Sequence, residues 1–232
     1  MRPAGSDNAV RSSRPYTDCH YMCDHEECPV PTDDPLYQTY HDLEWGTPTR
    51  CDRTIFEKVC LEGFQSGLSW RTILHRRPAF RRAFADFQLE QVARFTEEDI
   101  NRLLGDASII RNRRKINSAI NNAKRALELQ QEAGSLASFF WHFEPDTASR
   151  PKSITRAWLN THTTTPESTA LAKALKIRGW TFVGPTTLYA LMQALGLVND
   201  HVAHCPARAS VEQKRQDFIR PPVFHPTTTG KR

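Results

Sequence analysis

The chain has 232 residues, of which 39% are apolar and 25% charged, with a net charge of +5. That length bounds it to one ordinary domain with tails, or at most two small ones. No apolar run nears the roughly 18–20 residues a membrane helix needs, and Met1 to Asn8 lack the apolar core of a secretory signal, so membrane and secreted classes are excluded and the six cysteines are not expected to pair.

Charge is uneven along the chain: residues 1–27 carry net −2 and residues 206–232 net +4. A basic end is compatible with phosphate binding, and equally with a solvated surface. Residues 1–27 are polar and without periodicity, and residues 206–232 end in a Pro- and Thr-rich run. Both read as flexible tails flanking a domain at 28–205.

Inside the domain the periodicity is helical. Asp52 is placed to cap a helix carrying Ile55, Phe56, Val59 and Cys60. In helical projection Val59 falls on the same side as Ile55, and Glu62 lands beside them, inside the apolar stripe rather than opposite it. A carboxylate aimed at a core is costly unless paired, hydrogen-bonded or protonated. Glu62 therefore either turns out to water at a helix end, meets an arginine, or serves a site. In the run Glu62-Gly63-Phe64-Gln65-Ser66-Gly67-Leu68-Ser69-Trp70, two glycines are expected to break the helix and let backbone approach a ligand. A buried acid beside such a loop and the Trp70 ring suits a flat, polar, cationic ring; packing in the core is the competing role for Trp70.

Thr96-Glu97-Glu98-Asp99 has the form of a capping box before Ile100, Leu103 and Leu104. Ile116, Ala119, Ile120, Ala123 and Leu127 mark a longer helix from about Arg111 to before Gly134. Glu144 to about Pro166 reads as a surface excursion with one short helix. A helix follows from Thr169 to Arg178, and Pro185 occupies a first helical position ahead of Leu188, Leu191, Met192 and Leu195. Strand-like alternation is scarce, so the fold class is all-α. The connector Arg178–Thr187, with Val183-Gly184-Pro185 at its end, fits a helix-hairpin-helix whose backbone N–H groups grip a DNA phosphate. Any tight helix–helix turn is the alternative.

His201 and Cys205 lie one helical turn apart, and Cys28 and His41 offer a second Cys and His. Two Cys and two His make a closed tetrahedral zinc site, structural because no position is left for water, and this disfavours a zinc-dependent hydrolase. Cys19, His20, Cys23 and His25 are rival ligands.

Several stretches together resemble one family. They are Asp34-Pro35-Leu36-Tyr37, Tyr40-His41-Asp42-Leu43-Glu44-Trp45-Gly46, Cys60 through Trp70, Ile109 through Ile116, and Phe182-Val183-Gly184 through Gly196-Leu197-Val198-Asn199-Asp200-His201. In order and spacing, over about 28–205, the chain is similar to the DNA-3-methyladenine glycosylase I family. The resemblance implies an all-α domain of the helix-hairpin-helix glycosylase superfamily. It also implies hydrolysis of the N-glycosidic bond of 3-methyladenine in alkylated double-stranded DNA, for base-excision repair.

The family's zinc ligands fall on Cys28, His41, His201 and Cys205, a clip joining the N- and C-terminal segments. Its base pocket falls on Tyr37, Tyr40, Glu62 and Trp70, with Glu62 the candidate catalytic group. Gly67 and Leu68 are expected to plug the gap left by a flipped base, and Val183, Gly184 and Thr186 to meet DNA. Family members usually carry a Trp two residues after the first zinc Cys. Here that position is Val30, so one wall of the aromatic sandwich is missing or comes from another residue such as Trp45. Asn199 stands where the wider superfamily keeps a catalytic Asp. No Lys in these motifs is placed as an imine-forming nucleophile, which favours a monofunctional hydrolase over a lyase. A monomer without membrane contact is expected, in the cytoplasm (with the nucleoid in a bacterium) or in a nucleus. The alternative is a catalytically weak or inactive zinc-stabilised DNA-binding relative.

Overall fold

A computed structural model describes residues 33–224, so Cys28, Val30 and the rival ligands Cys19, His20, Cys23 and His25 lie outside the described residues. Within them the chain forms α1 (Pro35–Thr39), a π-helical turn (Tyr40–Glu44), α2 (Asp52–Gln65), α3 (Trp70–Ala83), α4 (Leu89–Val92), α5 (Glu97–Gly105) and α6 (Arg113–Ala133). There follow α7 (Leu136–Trp141), α8 (Arg156–Thr161), α9 (Pro166–Ile177), α10 (Pro185–Ala194) and α11 (Pro206–Asp217), with short 3-10 turns between some of them. No strand occurs among the described residues. The all-α expectation holds there, and no helix in that range is long and apolar enough to cross a membrane.

Local chemistry starts and stops these helices. Asn112 accepts the Lys115 N–H to open α6, and Gly134, at φ 79°, closes it. Asp99 accepts the Thr96 N–H at 3.0 Å ahead of α5, as the capping-box pattern predicts. Pro185 does open α10. One predicted cap acts elsewhere: Cys51, not Asp52, is the N-cap of α2. The Asp52 carboxylate accepts the N–H groups of Leu136 and Ala137 at the start of α7, 2.9 and 3.0 Å away. Asp52 therefore caps a helix far along the chain from its own.

The expected flexible tail from 206 is corrected over its first part. Residues 206–217 form α11, whose Val211 is fully buried, and Phe224 packs in the main core against Phe139. Its charged residues hid this, because only a few apolar side chains anchor the segment while Arg215 and Arg220 reach Glu144.

The core centres on α2, with α3, α6, α7 and α10 packed around it and α9 behind α10. Seven phenylalanines are essentially inaccessible: Phe56, Phe64, Phe80, Phe84, Phe87, Phe139 and Phe140. Each stabilises the fold by roughly 1.5–3 kcal/mol. Being central, α2 is buried on every side from Ile55 to Phe64, and that stretch includes the ionisable residues Glu57, Lys58 and Glu62. Water cannot solvate these three charges, so their partners decide what each does.

Candidate active site

Glu57 and Lys58 are satisfied within the protein. Arg77 and Arg81 donate to Glu57, and Lys58 donates to the Ala194 carbonyl at 2.7 Å while lying 3.2 Å from Glu44. Glu62 differs. It is 5% exposed, and its Oε2 has no hydrogen-bond partner among the described residues. Burial pushes its carboxyl up to about 8, with the Lys58 ammonium pulling the other way. It neither turns to water nor meets an arginine.

Glu62 instead faces a cavity of about 190 Å³, whose wall also includes Tyr37, Tyr40, His41, Trp45, Trp70 and Gln193. That volume is below the roughly 300–1,000 Å³ of ordinary ligand pockets, and is suited to a single base rather than a whole nucleotide. The Tyr40 and Trp70 rings stand 5.2 Å apart at 43°. Trp70 Nε1 is buried without an acceptor among the described residues, so the wall carries an unpaired donor as well as an unpaired acceptor. Aromatic faces plus unpaired polar atoms select a flat heterocycle with hydrogen-bonding edges.

Next to the cavity lies a second cluster. His41, His201 and Cys205 are buried with ligand atoms all within 4.8 Å of one another, a group that could hold a metal ion. Burial and the neighbouring His41 push His201 down to about 4, leaving the neutral imidazole that metals require. Asn199 Oδ1 lies 3.0 Å from His201 Nδ1, and Asp42 Oδ1 lies 2.8 Å from His41 Nδ1. Such outer partners orient ligating imidazoles. Asn199 thus points into this cluster; it does not line the cavity. Trp45 bridges the two, stacked on His41 and edge-on to His201 at 4.7 Å.

A sequence model of the methyladenine glycosylase family matches residues 30–209. The chain belongs to the methyladenine glycosylase family. It is 45% identical over 180 residues to DNA-3-methyladenine glycosylase 1 of Escherichia coli K12, covering 78% of this chain and 95% of that protein. It is 39% identical over 192 residues to DNA-3-methyladenine glycosylase of Haemophilus influenzae, covering 79% and 98%. Among solved structures, a crystal structure of 3-methyladenine DNA glycosylase I matches with TM-score 0.70 at 46% identity, covering 78% of this chain and 98% of that one. The Staphylococcus aureus enzyme, described for its recognition of 3-methyladenine, matches with TM-score 0.70 at 35% identity, covering 76% and 93%.

In this member of the methyladenine glycosylase family the structure brings Tyr37, Tyr40, Glu62 and Trp70 to one cavity, and His41, His201 and Cys205 to the adjoining cluster. Gly67 and Leu68 sit apart on the turn after α2. Gly67 has φ 78° with open space before it, and Leu68 is 40% exposed. Gly63 does not break the helix as expected. It lies within α2, and its missing side chain lets Phe182 of the connector approach, 3.6 Å from where a Cβ would be. Val183 is buried, Gly184 is the N-cap of α10, and Thr186 lies in its first turn.

Gln193 was missed by sequence reasoning. It lines the cavity while donating to Asp200, which also takes Arg150 and the Tyr189 hydroxyl. Gln193 falls off the apolar stripe of α10, so no periodic signal marks it. Lys58 had a signal: the projection that puts Glu62 on the apolar side of α2 puts Lys58 next to it, on the same face.

Proposed function

We propose that this protein is a monofunctional DNA glycosylase that hydrolyses the N-glycosidic bond of 3-methyladenine in alkylated duplex DNA. The observation that carries this reading is the buried, unpartnered Glu62 carboxyl facing an aromatic cavity of base size. 3-Methyladenine in DNA bears positive charge and is already a good leaving group, so strong acid catalysis is unnecessary. The work left to the protein is to extrude the nucleotide, hold the base and admit water to the sugar.

Tyr37, Tyr40 and Trp70 sandwich the electron-poor ring, and Trp45, on the same cavity wall, takes the place of the side chain missing at Val30. Glu62 accepts hydrogen bonds from the base edge and favours its positive charge, and as carboxylate it stabilises the oxocarbenium ion that develops as the bond breaks. Leu68, an exposed apolar tip beside an unobstructed Gly67, fills the gap in the duplex. The Val183, Gly184 and Thr186 stretch at the start of α10 grips a backbone phosphate. Among the described residues no lysine lines the cavity, and the buried lysines are engaged elsewhere: Lys58 with Glu44 and Ala194, Lys115 with the carbonyls of Phe64 and Ser66. That supports a hydrolase without a lyase step.

The buried donor set of His41, His201 and Cys205 fits zinc, with Cys28 as the fourth ligand. Such an ion would tie the segment before α1 to the segment before α11 and take no part in bond cleavage. The protein acts as a monomer.

The test is incubation of purified protein with methylated duplex DNA and chromatography of the released bases. Release of 3-methyladenine with 7-methylguanine left in place is expected, and an intact sugar–phosphate strand afterwards. Folded protein that binds DNA and releases no base would establish the inactive, zinc-stabilised binding relative instead.

A further inference from the structure

Of the two α10 residues on the cavity wall, Ala190 is apolar and Gln193 carries an amide. That amide is anchored. Its Nε2 donates to Asp200 Oδ2 at 2.9 Å, and Asp200 is 1% exposed. The same carboxylate takes the Tyr189 hydroxyl at 2.5 Å and the Arg150 guanidinium. Asp200 is thus surrounded by donors, and as a carboxylate it can only accept.

An amide has nearly the same shape either way round, and its partners decide which end is oxygen. Turning Gln193 over would set Oε1 against the Asp200 carboxylate, acceptor to acceptor. Asp200 therefore fixes Nε2 toward itself and leaves Oε1 free, with no hydrogen bond to any described residue. Gln65, the other amide on the wall, makes no side-chain hydrogen bond among the described residues, so no contact sets its orientation. Glu62 Oε2 is unpartnered as well. The cavity thus has an open acceptor from α2 and a second, pre-oriented one from α10, two helices that pack on each other.

We propose that Gln193 is a specificity-determining residue of this site: its Oε1 accepts a hydrogen bond from the exocyclic amine of the base and so selects 6-amino purines over 6-oxo purines. The inference rests on the reading of the cavity as a 3-methyladenine site.

The amine of 3-methyladenine carries two N–H donors, one for each acceptor. An oxo group at the same position has only lone pairs, and it meets Oε1 acceptor to acceptor. Gln193 cannot relieve this by turning over, because its oxygen would then face Asp200. A glutamine free to rotate adapts to either base; one pinned by a buried carboxylate leaves the wrong base unpaired. Tyr189 and Arg150 hold Asp200 without lining the cavity, so the selectivity is supported from outside the wall.

The experiment is binding of free 3-methyladenine and of 3-methylhypoxanthine, which carries an oxo group in place of the amine, to the full chain, followed by tryptophan fluorescence. Wild type is compared with Gln193→Met and Gln193→Leu; Met keeps the length of the side chain, and neither variant has the amide. Wild type is expected to favour 3-methyladenine by about tenfold or more. In both variants 3-methyladenine should bind about tenfold more weakly and 3-methylhypoxanthine within about twofold of wild type, so that the preference collapses. A wild type that binds the two bases equally overturns the proposal. So do variants that keep the wild-type ratio, whether both affinities hold or both fall together, the second being what a merely structural role would give. Wild-type protein that binds neither base and releases no 3-methyladenine from methylated DNA overturns the reading of the cavity itself, a result distinct from the others.

Discussion

Asn122 holds Thr181 by both backbone groups, donating from Nδ2 to the carbonyl at 2.9 Å and accepting the N–H at Oδ1 at 3.0 Å. Ser118, one turn earlier on α6, donates to the same carbonyl and accepts from the Thr181 hydroxyl. Lys115, on the turn before that, holds the carbonyls of Phe64 and Ser66 beside Gly67. One rigid helix therefore carries both the connector ahead of α10 and the turn bearing Leu68.

From this follows the expectation for Asn122→Ala. The Thr181 N–H loses its partner and the Thr181 carbonyl keeps only Ser118, at a cost of about 2 kcal/mol in stability. Affinity for duplex DNA should fall more than affinity for free 3-methyladenine, since the cavity wall is untouched. Paired titrations with the two ligands check this, and equal losses in both would separate the connector from DNA binding.

Leu68→Ala should leave binding of the free base within twofold of wild type. Turnover on methylated duplex should fall at least tenfold, while turnover on methylated single strands changes less, because no gap needs filling there. Rates on the two substrates decide the matter.

Glu62→Gln has opposite effects on activity and stability. Base release should drop at least a hundredfold. The folded carboxyl lies near 8, against an unfolded value near 4.5, so the wild-type fold carries no charge-burial cost below pH 4.5. That cost grows from pH 4.5 to 8 and is complete above, on the order of 5 kcal/mol. The variant should therefore unfold at a higher temperature than wild type at pH 8, with the difference vanishing near pH 4. Calorimetry at the two pH values measures it.

Metal analysis of protein purified without chelator should find one zinc per chain. Asn199→Ala, which removes the oxygen 3.0 Å from His201 Nδ1, should weaken metal retention roughly 10–100-fold. A stably folded protein without an ion would remove the cluster from metal binding, and an Asn199 variant that keeps zinc against chelator as well as wild type would remove Asn199 from its support.

Gly196 has φ 76°, and a Cβ there would lie 2.4 Å from the Gly46 carbonyl oxygen. That contact seats the end of α10 against the strap following Trp45. Gly196→Ala should cost about 3 kcal/mol and lower base affinity, because the strap must shift and Trp45, which precedes it on the cavity wall, must move with it. Thermal melts and base titration together test it.

Much of the molecule follows from local chemistry along the chain. Asn112 and Gly134 bracket α6, Pro185 opens α10, and the misplaced carboxylate Glu62 is visible from helical projection, because capping and periodicity act within a few residues. The motifs around Tyr37, Tyr40, Glu62 and Trp70 likewise mark the residues that share the cavity. Lys58 carried the same projection signal as Glu62, and only the packing around α2 showed that Glu44 and the Ala194 carbonyl take up its ammonium.

Other features had no local signature. Asp52 sits where a cap of its own helix belongs, and tertiary folding delivers it to α7 instead. Charged residues 206–217 resemble a tail until Val211 finds its seat beside Gly46. Gln193 joins the cavity only because Asp200 holds its amide. The meeting of His41 with His201 and Cys205 joins the two ends of the domain, and Trp45 reaches the cavity through that same meeting. Local sequence determines which segments are helices and which side chain fits its helix badly. Which distant groups satisfy the buried charges and donors is decided by packing, because a low-dielectric interior makes each unpaired group costly; at the cavity it leaves Glu62 Oε2 and Trp70 Nε1 without a protein partner.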